Sequence, residues 1–390
     1  MKKELIISYE DDASKIALIE DGRLFELHEI KQNTDFVVGD IFVGKIKKLA
    51  PNLNAAFVNI GYEKDAFLHY QDLGPQYLTY RKFLQDTVSK RQQTSSLKNF
   101  QIQPEIDKHG TVDKVMAPQD EVLLQITKEP ISTKGPRIST QISLTGRFLV
   151  LIPFDNKVSI SKKVKSAEEK ARLKTLIESI KPEGFGVIIR TVAEGKKVAE
   201  LHNDMNQLVD KWNVCFKNIQ KNKTPAKVLS EEDKASAILR DNFNQDFVSI
   251  ICDDEQMVND MKNYLEVIAP ERKNIVQFYD SHIPLLEYYN VEKQLKQSFG
   301  KHVNIPSSKG AYLVIEHTEA LHVIDVNSGN NISSGTANKE HALNVNKMAA
   351  TEIARQLRLR DMGGIIVVDF IDMPNPDHRK DLYEYLREEM

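Results

Sequence analysis

Two apolar runs in this sequence each contain an aspartate near their end, and these two aspartates are the first candidates for catalytic or metal-binding residues. ALHVIDVNSGNN carries Asp325, and GGIIVVDFIDM, about forty residues later, carries Asp369. An unpaired carboxylate is costly to bury, so such a group is normally neutralised, hydrogen-bonded or bound to a metal ion. The two aspartates are therefore candidate metal ligands.

Carboxylates on neighbouring strand ends can share one Mg²⁺, an ion that keeps most of its waters and meets substrate phosphate. A water on such an ion is more acidic and can attack phosphorus. Asn327 lies two residues beyond Asp325, so its side chain points to the same face and can orient a carboxylate or contact a phosphate. Asp372 is a candidate for supporting contacts. If either aspartate is considered alone, a role as helix N-cap or turn residue is favoured. Because both occupy matching positions on either side of one helix, metal binding by the pair is favoured.

The elements around the aspartates predict a β-α-β unit. YLVIEH and LHVIDV are predicted strands, IIVVDF is the next, and residues 339–360 form a helix between them that Gly363-Gly364 ends. One face of that helix carries Ala342, Val345, Ala349, Ile353 and Leu357. Strands that bracket a crossover helix are typically parallel, and sites gather at their carboxyl ends. Asp325 and Asp369 occupy comparable places there.

Composition limits the remaining possibilities. The chain has 390 residues, 41% apolar and 28% charged, which suggests two to four domains with cores. No apolar run approaches the ~18–20 residues of a membrane span, and the N-terminus lacks the features of a secretory signal. Cys215 and Cys252 have no CxxC spacing, which favours the reducing cytoplasm and argues against sulfur-bound zinc in this segment. The net charge of −3 means that any basic surface must be local.

The first 130 residues are predicted to be mostly β-structure. Strands are expected at 4–9, 15–20 and 23–29, with a tight turn at Asp21-Gly22. From Val37 onward, short strands with glycines, a lysine-rich strand and exposed-looking aromatics predict a small barrel of OB type. The polar residues 84–113 interrupt it and are expected to be disordered.

Helices are predicted after a basic stretch that runs from Lys128 to Lys163. Ser166 and Glu169 form a capping box that opens a helix to about Ile180. Apolar residues at 3-4 spacing from Val198 to Ile219 predict an amphipathic helix that lies on its own domain, which is favoured over a coiled coil. Further helices are predicted to begin at Ser230 with Asp233 and after the acids 253–255, which are interpreted as a solvated cap in preference to a metal cluster.

Three motifs together resemble the ribonuclease E/G family, the endoribonucleases of bacterial RNA processing and decay: HTEALHVIDVNSG, EIARQLRLRDMGGIIVVDFIDM and AAFVNIGYEKDAFL. The resemblance covers nearly the whole chain and implies an α+β multidomain fold. A ribonuclease H-like subdomain would be split around an inserted OB-fold and a 5′-sensor, followed by a deoxyribonuclease I-like α/β catalytic subdomain. The implied ranges are 1–35 and 229–300 for the split subdomain, 36–130 for the OB-fold with its insertion 84–113, 131–228 for the sensor and 301–390 for the catalytic part.

The resemblance also implies roles for single residues. The acids that match Asp325 and Asp369 hold Mg²⁺ in the family, and the matching catalytic asparagine is Asn327. Phe57 and Phe67 match residues that contact RNA, although a place in the barrel core is an equal alternative for either one alone. Arg190 and Thr191 match a pocket for a 5′-monophosphate. The residues themselves suggest that Lys45 and Lys128 track phosphates.

The expected function is that of a cytoplasmic, ribonuclease G-like, Mg²⁺-dependent endoribonuclease for single-stranded RNA. It would leave 5′-phosphate and 3′-hydroxyl ends in rRNA and tRNA processing and mRNA decay, and a 5′-monophosphate would stimulate it. The alternatives are a non-catalytic RNA-binding scaffold and another metal-dependent phosphodiesterase. In the family a CPxCxG-type zinc link and a dimerisation domain follow. Neither occurs before Met390, so a C-terminally truncated piece is expected, without the zinc ligands and with homo-oligomer formation open.

Overall fold

The computed structural model describes residues 2–9, 13–31, 36–130, 135–231, 234–308, 310–329 and 337–390. Their contacts divide the chain into two compact units. The first combines Met1–Gln32 with Lys234–Met390, and the second is Asn33–Asp233. The first unit is thus built from both ends of the chain, with the second unit inserted between them.

Both units contain β-strands and α-helices. The strands, in chain order, are β1 (Lys3–Tyr9), β2 (Ala13–Glu20), β3 (Arg23–Lys31), β4 (Ile41–Ala50), β5 (Ala55–Asn59), β6 (Ala66–His69), β7 (Glu121–Lys128), β8 (Arg137–Ser139), β9 (Leu144–Thr145), β10 (Leu149–Pro153), β11 (Val158–Ile160), β12 (Phe185–Ile189), β13 (Ala226–Leu229), β14 (Phe247–Cys252), β15 (Val276–Phe278), β16 (His302–Asn304), β17 (Tyr312–His317), β18 (Leu321–Asn327) and β19 (Ile365–Asp369). The α-helices are α1 (Tyr77–Val88), α2 (Val112–Val115), α3 (Ala167–Ile180), α4 (Val198–Lys221), α5 (Lys234–Asn242), α6 (Glu255–Ile268), α7 (Leu285–Tyr288), α8 (Val291–Ser298), α9 (Ala337–Leu359) and α10 (Pro376–Glu389).

The first sheet of unit one joins strands from distant parts of the sequence. Its order is β15-β14-β1-β2-β3, with β1 parallel to β14 and antiparallel to β2. The turn between β2 and β3 is at Asp21-Gly22, where both residues have positive φ, 47° and 78°, as the hairpin prediction requires. Leu5 and Ile7 face α5 and α6, while Ile6, between them, packs with residues of α7 and α8. Both faces of β1 are therefore buried, which explains its continuous apolar run.

The second sheet of unit one carries the β-α-β unit predicted from the sequence. Its order is β16-β17-β18-β19, with β18 antiparallel to β17 and parallel to β19. Helix α9 connects β18 to β19 and packs Val345, Ala349 and Ile353 into one core with Ile324. The alternation of β18 therefore places Ile324 and Val326 against the helix, and the residues between them on the opposite face.

Unit two begins with a closed barrel, as predicted. Strand β4 pairs with β5 and β7, β5 pairs with β6, and β8 pairs with both β6 and β7, so five strands close on themselves. The inward-facing core includes Ile46, Val58, Leu68, Leu124 and Ile126. Strand β8 lies beyond the range 36–130 expected for the barrel, and β13 adds to the outside of β4.

The prediction that the polar stretch 84–113 is disordered was wrong. Helix α1 extends to Val88, and the following irregular chain buries Leu97 (3% exposed) and Val112 (1%). Its backbone also pairs with the rest of the unit, since Trp212 Nε1 donates to the Ser95 carbonyl at 2.9 Å. A few apolar residues, widely spaced among polar ones, anchor this stretch, and an average over its composition hides them.

The rest of unit two packs a small sheet, β11-β12-β10-β9, with α3 and α4. Helix α4 buries Leu201, Met205, Leu208 and Trp212 against its own unit, as the spacing predicted. The predicted capping box of α3 is only half formed: Ser166 accepts from the backbone N–H of Glu169 at 3.2 Å, but the Glu169 carboxylate instead binds Arg172. The helix nevertheless ends at Ile180, as expected.

Other expectations have mixed outcomes. Asp254 is the N-cap of α6 and accepts from the Met257 N–H at 2.7 Å, which confirms the predicted cap. Asp233 lies outside the described residues, so the predicted start of α5 is not described. The five-part division, with its ribonuclease H-like and deoxyribonuclease I-like subdomains, stays a prediction. None of the helices in the described ranges has both the length and the apolarity needed to span a bilayer.

A buried ionic network fixes α9 to the first sheet. Glu352 is 1% exposed, and its carboxylate accepts from Arg355 Nη2 and Arg23 Nη2, each at 2.6 Å. Arg355 continues to the Leu24 carbonyl in β3 at 2.6 Å. Burial raises the pKa of Glu352, but the hydrogen bonds and charges of the two arginines outweigh it and leave the pKa below its usual range. The helix is thereby tied to both sheets of unit one.

Replacing Glu352 by glutamine should lower the free energy of unfolding by about 3–5 kcal/mol, because Arg355 would remain buried without its counter-charge. The depressed pKa means that the stabilisation is complete above the ordinary value of 4.5 and is lost as pH falls below it. Urea unfolding of wild type and Glu352→Gln at neutral and acid pH measures both effects. Glu384→Gln, which breaks an exposed pair with Arg387, is the matched control and should change little.

Candidate functional site

The two aspartates singled out in the sequence are direct neighbours. Asp325 of β18 is the register partner of Asp369 of β19 in a parallel pair. Neighbouring strands lie about 4.8 Å apart and register partners project to the same face, so the carboxylates stand side by side. Both side chains are exposed, on the face of the sheet that α9 does not cover. Asp369 is the last residue of its strand, and Asp325 lies two residues before the end of its own.

Asn327 and a second asparagine hold this region in place. Asn327 Nδ2 donates to Asp325 Oδ2 at 2.7 Å, which fixes the orientation of that carboxylate. Asn346 of α9, which is fully buried, exchanges two hydrogen bonds with the backbone of Ile371, at 2.8 and 3.0 Å. It therefore anchors the chain just after Asp369 to the helix. The sequence analysis missed Asn346; a polar residue on the apolar face of a predicted helix was the available signal.

The carboxylate pair suits a hard divalent cation. Mg²⁺ is bound in proteins through one or two carboxylates and retains several waters, and two exposed, adjacent carboxylates provide that arrangement. Among the described residues there is no group of three or more histidine, cysteine, aspartate or glutamate side chains suited to a metal. The donors present therefore fit an ion held by two side chains with water completing its shell.

Phe57 and Phe67 lie on the outer surface of the barrel and not in its core. They are register partners on β5 and β6, half-buried, with ring centroids 5.8 Å apart at an interplanar angle of 68°. Their neighbours in sequence, Val58 and Leu68, point inward and are almost fully buried. Lys48 Nζ lies 4.8 Å from the centre of the Phe57 ring, a cation–π contact. The pair thus presents two aromatic rings beside a positive charge.

Strand register extends this aromatic pair into a belt around the barrel. Each member pairs with the next across five strands, in the order Lys48, Phe57, Phe67, Arg137 and Lys128. Arg137 forms a two-pronged contact with Asp72 at 3.0 and 3.1 Å, so part of its charge is engaged. Lys45 lies on the same outer surface, opposite Asn59. The predicted Lys128, Phe57 and Phe67 are thus brought together, and the sequence analysis missed Lys48 and Arg137 as members of the group.

Arg190 and Thr191 follow the end of β12, and β11 runs parallel beside it and ends next to Ser161. The hydroxyls of Ser161 and Thr191 are hydrogen-bonded at 2.9 Å, and Arg190 Nη1 donates to the Gly146 carbonyl at 2.8 Å. Two hydroxyls therefore meet at the carboxyl ends of two parallel strands, and the neighbouring Arg190 contacts the Gly146 carbonyl. Ser161 was not foreseen, because its nearness to Thr191 depends on pairing between separate strands.

A buried carboxylate shapes the turn that holds Arg190. Asp204 of α4 accepts hydrogen bonds of 2.9–3.0 Å from three consecutive backbone N–H groups, those of residues 147–149. Burial raises the pKa of Asp204, against the opposite effect of these three donors. A Cβ at Gly146 would lie 2.7 Å from Asp204 Oδ2, so a larger residue there would displace this carboxylate. Helix α4 thus positions the carbonyl that receives Arg190.

The fold and these sites define a multidomain α+β protein that combines an OB-like barrel with a carboxylate-bearing β-α-β unit. Comparison with known proteins is more specific. Residues 143–390 match the model of the ribonuclease E/G family. The chain is 36% identical to ribonuclease E of Nostoc sp. over 390 residues, 99% of this chain and 51% of that protein. It is 33% identical to ribonuclease G of Haemophilus influenzae over 384 residues, 98% and 74% respectively. It is 31% identical to ribonuclease G of Escherichia coli K12 over 381 residues, 97% and 73%.

The chain belongs to the ribonuclease E/G family, as the three sequence motifs suggested. It spans about half the length of the Nostoc ribonuclease E and about three quarters of the two ribonucleases G.

Proposed function

We propose that this chain is the catalytic region of a Mg²⁺-dependent endoribonuclease that cuts single-stranded RNA and leaves 5′-phosphate and 3′-hydroxyl ends. The observation that carries the proposal is the in-register pair of exposed carboxylates, Asp325 and Asp369, on neighbouring parallel strands. The family supplies the substrate class, because the relatives are named ribonucleases.

Asp325 and Asp369 are the residues that would hold the cation. Mg²⁺ held there would lower the pKa of a water molecule, so that the water could lose a proton and attack phosphorus, and it would offset the charge that develops on the phosphate. Asn327 limits the rotation of the Asp325 carboxylate by donating to Oδ2, so the other oxygen keeps one direction. Asn346 holds the backbone two residues after Asp369, so the end of the strand that carries the second carboxylate is anchored before substrate arrives.

The barrel belt is proposed as the RNA-binding surface. Aromatic rings stack on any base, at about 1–3 kcal/mol per base, and lysines follow the phosphates without reading sequence. Phe57 and Phe67 offer the rings, and Lys45 and Lys128 the charge. Paired bases cannot splay onto such rings, which supports selectivity for single strands.

Arg190 and Thr191, together with Ser161, are proposed as the residues that bind a 5′-monophosphate. A terminal phosphate offers more oxygens and charge than an internal one, and a guanidinium with hydroxyls is suited to it. We also propose that a 5′-monophosphate stimulates cleavage and that the enzyme acts in rRNA and tRNA processing and in mRNA decay. Cytoplasmic location and homo-oligomer formation belong to it as well; the two cysteines are buried and not bridged, which agrees with a reducing compartment.

The metal assignment is tested first. In the full-length protein, Asp325→Asn and Asp369→Asn should each reduce Mg²⁺-dependent cleavage about a thousandfold or more, the several kcal/mol expected of the ion. Binding of single-stranded RNA should stay within a few-fold. Neither change should unfold the protein, because both side chains are exposed and like charges on register partners repel.

Asp377→Asn, an exposed aspartate in α10, is the matched control and should cleave normally. Cleavage at the wild-type rate by either strand variant would refute the metal assignment. Binding without cleavage by the wild type, with all divalent cations supplied, would favour the scaffold; equal cleavage of DNA would favour a general phosphodiesterase.

The barrel surface is tested by Phe57→Ala combined with Phe67→Ala. Affinity for single-stranded RNA should fall about tenfold or more, from the loss of ~1–3 kcal/mol of stacking per ring. Phe299→Ala, which removes an exposed ring elsewhere, should leave binding unchanged. Leu68→Ala, in the barrel core, should cost about 2–5 kcal/mol of stability. If the double variant is destabilised as much as Leu68→Ala while the folded fraction binds normally, the rings are structural.

The proposed 5′-monophosphate site is tested by comparing cleavage of the same RNA with a 5′-monophosphate and with a 5′-hydroxyl. Arg190→Gln should slow cleavage of the first about tenfold or more, since charge-assisted contacts contribute ~1.5–3 kcal/mol, and barely change the second. Arg190→Lys should slow this cleavage less than Arg190→Gln does, because lysine keeps the positive charge but cannot form the two parallel hydrogen bonds of a guanidinium. Lys174→Gln, which removes an exposed charge in the same unit, should change neither rate. Equal losses on both RNAs would assign Arg190 to folding or to general RNA binding.

A further inference from the structure

Two histidines face each other at the tip of the hairpin formed by β17 and β18. His317 and His322 are register partners, and their Nδ1 atoms are 2.7 Å apart with ring planes at 87°. His317 is exposed and His322 half-buried, so both rings are open to solvent. We propose that His317 and His322 form a binding site for a borderline transition-metal cation such as Zn²⁺, separate from the carboxylate pair.

The hairpin turn holds the two rings together. The Thr318 N–H donates to the Leu321 carbonyl at 2.9 Å, the Thr318 hydroxyl donates to the same oxygen at 2.8 Å, and the Leu321 N–H donates to that hydroxyl at 3.1 Å. Because Thr318 and Leu321 are hydrogen-bonded, the next pair, His317 and His322, occupies a position where side chains approach most closely. The site is therefore built by the backbone before any ion arrives.

The ring chemistry agrees with metal binding. A hydrogen bond between neutral imidazoles aims the lone pair of one ring at the N–H of the other. Two nitrogens that bind one tetrahedral Zn²⁺ at 2.0–2.1 Å are about 3.3 Å apart, so the rings would separate by about 0.6 Å and turn until both lone pairs point at the ion. Imidazole suits Zn²⁺, Cu²⁺ and Ni²⁺, whereas Mg²⁺ prefers oxygen ligands. The described residues offer no third side chain of a ready-made cluster, so water would complete the shell.

The histidine pair lies on the opposite face of the sheet from the carboxylates. His322 lies two residues before Ile324 and so projects to the same face, the one that α9 covers, whereas Asp325 projects to the uncovered face. A cation bound to the histidines would therefore not occupy the carboxylate site. It would instead cross-link β17 to β18, the strand that carries Asp325.

The test uses untagged full-length protein carrying Asp325→Asn and Asp369→Asn, so that Zn²⁺ cannot occupy the carboxylate pair. Calorimetric titration with Zn²⁺ should show a site whose affinity falls about tenfold or more in His317→Gln and in His322→Gln, since even groups that only support a metal ligand change affinity 10–100-fold when mutated. Excess Mg²⁺ should not compete. Zn²⁺ should also raise the unfolding temperature of the histidine-intact protein by more than it raises that of the double histidine variant.

His282→Gln, another exposed histidine in the same unit, is the matched control and should keep the affinity. The proposal is overturned if Zn²⁺ does not bind, or if the histidine variants bind it as tightly as the control does. Because the carboxylates are already neutralised in this background, either result leaves the proposed ribonuclease function untouched.

Discussion

The parallel pairing of β18 with β19 is the constraint on which the candidate active site depends. A parallel pair needs a crossover, and α9 provides it while covering one face of both strands. Because side chains alternate, the same packing that buries Ile324 projects Asp325 away from the helix, and register places Asp369 beside it. Two like charges on neighbouring strands oppose this pairing. The apolar face that α9 covers, and the Asn346 contacts to the backbone after Asp369, hold them together.

Helix α9 also carries the buried polar residues that connect the two sheets of unit one. Its apolar face serves the second sheet, and Glu352 and Arg355 reach β3 of the first. Each of these buried charges has its partner, so the network costs little in the folded state and much when one member is removed. The same logic applies in unit two, where Asp204 receives three backbone N–H groups and so determines where Arg190 can bind a carbonyl. In both units a buried carboxylate thus ties a helix to a neighbouring strand or turn.

Local rules predicted much of this structure. The hairpin at Asp21-Gly22, the amphipathic helix α4, the cap at Asp254 and the β-α-β unit around Asp325 all follow from patterns a few residues long. Features that depend on pairing between distant strands were missed: Ser161 beside Thr191, Arg137 beside Phe67, and β8 closing the barrel. Periodicity shows that a strand exists and which face is buried, but it does not identify the neighbouring strand. The implied subdomain arrangement came from family resemblance and not from residue patterns.

The split of unit one around unit two has a consequence for synthesis of the chain. Strand β1 pairs on one side with β14, and Phe247, the first residue of β14, lies 238 positions after Tyr9 (247 − 9). At ribosomal rates of roughly 5–20 residues per second, the β1–β3 meander waits on the order of ten to fifty seconds for that partner. During this interval the apolar edge of β1 is open to other strands, while the inserted unit has its whole sequence available and can fold. A nascent chain stalled between the two units would therefore expose a strand edge prone to aggregation. The risk of aggregation should be greatest while the inserted unit is being translated.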